Sequence, residues 1–223
     1  MGKNTIGVEN FKYFYHSRSL PHLFDINKPV FITFRLKFSL PKSIESELIN
    51  RKREWNENLK TLSGSERESK SKSKYNQLFL WFDELIACSV ETPDLLSDNR
   101  CIGIISHALH HHDNVRYQLL AFCIMPNHVH VIINPLPQDN NSIFPISHIT
   151  YTWKKYSATQ INKHMQMKGS FWQSESYDHL IRDQIELFHY LEYVIENPVK
   201  AGLVSKWYEW KGTWVKEELK PDK

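Results

Sequence analysis

Glycine is scarce in this chain, with 7 residues in 223, and neither GxGxxG nor GxxxxGK(S/T) occurs. The glycine loops that cradle dinucleotides and nucleoside triphosphates are therefore missing, and no nucleotide cofactor is expected. Cysteine is equally sparse. Cys88, Cys101 and Cys123 contain no CxxC pair, which argues against a disulfide framework and a zinc knuckle and predicts buried small hydrophobes. No apolar run approaches the roughly 18 residues of a membrane span, and the N-terminus lacks an apolar secretory core, so a cytoplasmic protein without a membrane partner is expected. Strong charge of either sign is also absent. A net +3 neither establishes nor excludes a nucleic-acid partner, so the site chemistry has to decide.

What is present is an ordinary globular composition, 41% hydrophobic and 24% charged, in a length that suits one catalytic domain over 1–223. Residues 30–38 alternate and are rich in β-branched and aromatic types, which predicts a first strand carrying Arg35 and Lys37 on one face. A charged helical insertion is expected at about 41–112. It holds a Ser/Lys/Glu cluster at 63–74, two helical patterns within 75–112, and a run of three histidines, 110–112, that point in different directions on a helix. Residues 117–125 and 128–134 form two apolar runs around Pro126-Asn127, a hairpin signature. A helix follows with Ile146, Ile149, Trp153 and Tyr156 at helical spacing, then an extended piece at 171–182. A final helix at 183–197 is expected to stop at Pro198, ahead of an aromatic tail. The order predicts an α+β class, a ferredoxin-like antiparallel sheet with packed helices, enlarged after its first strand.

Side chains alternate on a strand, so His128 and His130 share one face while Val129, Val131 and Ile133 take the other. Two imidazoles side by side suit a metal ion, although such a pair also arises by chance on exposed strands. A third donor is available downstream. Tyr193 and Asn197 stand at i and i+4, one turn apart on one helix face, so a phenol and an amide oxygen can approach the same ion. Tyr190 fails that test because Val194 occupies its i+4 position.

Asn127-His128-Val129-His130-Val131, followed by FWQSESYDHLIRD and LEYVIENPVKAGLV, resembles the REP-associated tyrosine transposases, relatives of the single-tyrosine HUH insertion-sequence transposases. The resemblance is good over residues 28–40 and 115–205, and 41–74 depart from it. It implies a metal pair at His128 and His130, with Asn197 as third ligand. It implies a tyrosine nucleophile at Tyr193, in a motif of the form Tyr-(Ile/Val)-x-x-Asn-Pro. It further implies a DNA transposase-type endonuclease and strand transferase, which forms a 5′-phosphotyrosine on single-stranded or hairpin DNA with Mg²⁺ or Mn²⁺. The setting would be the cytoplasm of a bacterium, at the nucleoid, and a homodimer could share the tyrosine helix between subunits. Arg35, Lys37, Lys154, Lys155 and Arg182 are the candidate phosphate contacts. The alternative is a non-catalytic DNA-hairpin-binding protein derived from such a transposase.

Overall fold

The computed structural model describes residues 28–37, 94–138 and 144–221, with isolated positions 46, 47, 50, 51, 53, 54, 57, 63 and 81. The Ser/Lys/Glu cluster, the first helical pattern after residue 75 and Cys88 lie outside the described residues, apart from positions 63 and 81. Of these isolated positions, all except 63 are helical, and Arg51 binds Glu47 at 2.8 Å one turn earlier.

Five strands form one antiparallel sheet: β1 (Val30–Arg35), β2 (Tyr117–Ile124), β3 (His128–Pro135), β4 (Tyr177–Leu180) and β5 (Thr213–Val215). Their spatial order is β4-β1-β3-β2-β5. Strands β1 to β4 follow the ferredoxin-like order, with helix α1 (Asn99–His110) in the first crossover and α2 (Ile146–His164) in the second. Residues 36–98 are the enlargement of the first crossover. Helix α3 (Gln184–Lys200) follows β4. Among the described residues no helix is long and apolar enough to cross a membrane.

The alternation along β1 and β3 divides the core in two. Val30, Ile32, Phe34, Val129, Val131 and Ile133 pack beneath α1 and α2 together with Trp153 and Ile149. Phe31, Ile132, Ala121 and Cys123 face α3 through Tyr190, Leu191, Val194 and Ile195. Strand β2 keeps apolar residues on both faces because a bulge between Leu119 and Ala121 resets its alternation. Between β2 and β3, Pro126-Asn127 makes the expected tight turn, closed by Met125 N–H donating to the His128 carbonyl at 2.8 Å.

Three details differ from the sequence pattern. Tyr156 is 41% exposed, because Thr150, Ser157 and Ile161 continue the buried stripe of α2. Helix α3 does not stop at Pro198 but runs on to Lys200. Proline this near the end removes one N–H donor without breaking a long ladder, and Ala201 N–H still reaches the Asn197 carbonyl at 2.9 Å. The aromatic tail is structured: β5 pairs with β2, and Trp210 Nε1 donates to the Ile124 carbonyl at 2.8 Å. Gly212 permits that approach, since a Cβ there would stand 2.5 Å from the Ile124 oxygen.

Candidate active site

The β3 register sets His128 opposite Arg35 and His130 opposite Thr33 on β1. All four side chains lie on the face that α3 covers, and both imidazoles are fully buried. Their Nε2 atoms are 2.9 Å apart. Each Nδ1 is held by a neighbour: His128 by Asn127 Oδ1 at 2.6 Å, His130 by Thr33 Oγ1 at 2.8 Å. The Asn127 carbonyl oxygen accepts, so His128 carries its hydrogen on Nδ1 and leaves Nε2 as a lone pair. Burial holds His128 down to about 3 and puts His130 well below the ordinary imidazole range, with His128 adding to the latter. Both rings are therefore neutral at pH 7.

Asn197 completes the group from α3. Its amide nitrogen lies 3.3 Å from His130 Nε2, and a half-turn of the amide presents Oδ1 to the same point. Three acceptor atoms then surround one position, which a shared proton or a cation can fill. Two neutral imidazoles and an amide oxygen suit a divalent ion, and the Nδ1 hydrogen bonds are the outer contacts that orient metal-binding histidines.

Tyr193, one turn before Asn197, is half-buried with its ring 5.5 Å from that of His130 and 6.0 Å from Phe31. Tyr190 differs. It is buried and stacked on Phe31 at 4.7 Å, and burial pushes its phenol up. Tyr177 is also buried, on β4. His179 does not join the histidine pair. Its Nε2 binds Glu186 Oε1 at 2.8 Å, while Glu186 Oε2 accepts from the Arg182 backbone at 2.7 Å, so the pair ties β4 to the start of α3. Burial lowers His179, an effect that Glu186 partly offsets.

The five expected cationic contacts are dispersed. Arg35 is buried across from His128, and its Nη1 lies 3.4 Å from the Leu36 carbonyl. Lys37 is exposed just past β1, and Arg182 is exposed before α3. Lys154 and Lys155 sit on α2, behind the sheet. Lys154 Nζ donates to the carbonyls of Gln173, Ser174 and Glu175 at 2.9 to 3.2 Å, which gives it a structural task. Lys155 lies over Tyr151 at 5.6 Å. A cation not singled out in the sequence is Lys200, whose ammonium lies 5.5 Å from the Tyr193 ring centre. Its i+7 spacing was legible, but only in a helix that continues through Pro198.

Residues 94–197 match the family model described as Transposase IS200 like. Over 99 residues the chain is 30% identical to a protein of Haemophilus influenzae named as a REP-associated tyrosine transposase. That match takes in 42% of this chain and 56% of the relative, so the chain spans about half the relative's length. A solved structure of a REP-associated tyrosine transposase bound to a REP hairpin shares the fold, with a TM-score of 0.50 and 17% identity over 92% of this chain and 82% of that one. The histidine pair, Tyr193 and Asn197 all fall within the matched residues.

Proposed function

We propose that the protein cuts and rejoins single-stranded DNA beside a folded hairpin, as a transposase-type endonuclease whose nucleophile is Tyr193. The observation that carries this reading is the convergence of His128 Nε2, His130 Nε2 and the Asn197 amide beside a half-buried tyrosine one helical turn away. His128, His130 and Asn197 would hold a divalent ion, Mg²⁺ or Mn²⁺ in the working state. Such an ion, when bound, supplies positive charge to the phosphodiester's non-bridging oxygens.

The remaining chemistry belongs to the chain. The phenol of Tyr193 gives up its proton and its oxygen bonds to phosphorus. The phosphorus–O3′ bond breaks and the leaving O3′ takes up a proton, so that a 5′-phosphotyrosine and a free 3′-hydroxyl result with no net change in protons. The reverse attack by a 3′-hydroxyl rejoins a strand without ATP. Asn127 and Thr33 keep both imidazoles aimed, and α3 carries nucleophile and third ligand on one rigid element. Lys200 and Arg35 flank the tyrosine and the histidines, where cations favour the phosphate backbone. The hairpin bound by the structurally similar transposase suggests the substrate class, and a homodimer sharing α3 is compatible with this arrangement.

Incubation with Mn²⁺ and a panel of hairpin-bearing single strands should yield a covalent protein–DNA band on a denaturing gel. The band is expected to vanish with a chelator and in Tyr193→Phe. Hairpin binding with no adduct under any divalent ion would instead favour the non-catalytic binding protein.

A further inference from the structure

Among the described residues, one grouping of three His/Cys/Asp/Glu side chains has donor atoms close enough to share a metal ion, and it is not the histidine pair. Asp98, Cys101 and His164 bring a carboxylate oxygen, a thiol sulfur and an imidazole nitrogen within 4.8 Å of one another. Asp98 and Cys101 begin α1, and His164 is the last residue of α2, so the three meet where the two helices come together behind the sheet. Helices α1 and α2 cover the face opposite to His128 and His130, which makes this a separate place in the molecule.

We propose that Asp98, Cys101 and His164 form a second metal site, selective for a soft divalent ion such as Zn²⁺, which clips the start of α1 to the end of α2. The donor set points to that class. Thiolate and imidazole favour Zn²⁺ and Co²⁺, whereas Mg²⁺ prefers oxygen and keeps its waters. One Asp98 oxygen already caps α1, accepting from Arg100 N–H at 2.9 Å and Cys101 N–H at 3.0 Å, so the carboxylate is held in place. His164 Nε2 stands 3.4 Å from that oxygen. The sulfur is fully buried, while Asp98 and His164 are partly exposed, so an ion reaches the thiol past those two. Three protein donors leave one position for water.

Binding has a defined proton balance. The Cys101 S–H bond breaks, a sulfur–metal bond forms, and the proton goes to solvent. A free thiol is protonated at pH 7, so the metal-free protein releases about one proton per ion.

Co²⁺ is the probe that separates this site from the other, because His128, His130 and Asn197 contain no sulfur. Titrating the reduced full chain with Co²⁺ should produce a near-ultraviolet sulfur-to-cobalt charge-transfer band, with about one proton released per ion. Excess Zn²⁺ should erase the band and excess Mg²⁺ should not. The band should persist in His128→Ala and disappear in Cys101→Ser. His164→Gln, at a partly exposed helix end, should weaken Co²⁺ binding at least about tenfold, as a second variant should Cys101→Ser not fold. With Zn²⁺ at a hundred times its Kd, the melting temperature should rise by roughly 5–10 °C, and Cys101→Ser should lose that gain. No charge-transfer band, or one that survives Cys101→Ser, overturns the proposal.

Discussion

The two faces of this sheet are made by the same strands and stabilised by different physics. The face under α1 and α2 is dry: Val, Ile and Phe from β1 and β3 meet Trp153, whose Nε1 donates to Tyr117 Oη at 2.8 Å as one of the few polar contacts there. The face under α3 buries Thr33, Arg35, His128, His130, His179 and Asn197 among its apolar residues. Burying polar groups costs free energy unless each is hydrogen-bonded, and here the bonds of Thr33, His128, His130 and Asn197 also gather those groups around one point. The dry face tolerates approximate partners as long as volume is kept, whereas the polar face depends on particular atoms.

That contrast is broken most strongly from the dry side. Trp153→Ala should cost about 3–5 kcal/mol and lower the melting temperature by roughly 10 °C, measured calorimetrically, while adduct formation per folded molecule is retained. On the polar side, Thr33→Val keeps the shape but removes the oxygen beside His130 Nδ1. It should weaken Mn²⁺ binding about 10–100-fold by calorimetric titration, a change no dry-face substitution should match. Lys200→Met should weaken single-stranded DNA binding a few-fold. It should also reduce the slope of log affinity against log salt by about 0.7, the signature of one lost phosphate contact.

The smallest effect is in pH. Unfolded imidazoles titrate near 6.5, while burial holds His128 to about 3 in the fold. Below pH 6.5 the unfolded chain therefore takes up protons that the folded one refuses, so metal-free stability should be flat above about pH 7 and fall progressively toward pH 3. His128→Gln should make that decline shallower.

Legibility in the sequence follows sequence distance. The i, i+2 pair on β3 and the i, i+4 pair on α3 are local spacings, so His128, His130, Tyr193 and Asn197 were all readable, as were the hairpin and the α+β order. Thr33 and Arg35 needed a register that joins β1 to β3 across almost a hundred residues, and no local pattern carries that. Asn127 was visible as a turn residue but not as the partner of His128. Strand β5 was hidden because three residues inside an aromatic segment give too short an alternation, and its one cue, Gly212, is explained only by the Ile124 carbonyl beside it. Lys200 was lost to a rule about proline that holds in helix interiors and relaxes in the last turn.

The atom that takes the phosphate decides whether Tyr193 is the nucleophile. Adduct made with Mn²⁺ and a hairpin strand, cut with trypsin and nuclease, should leave a nucleotide on the peptide spanning residues 183–200, which contains both Tyr190 and Tyr193. Fragmentation mass spectrometry should place it on Tyr193, the half-buried phenol beside His130. A nucleotide on Tyr190, or on any residue outside that peptide, would contradict the assignment.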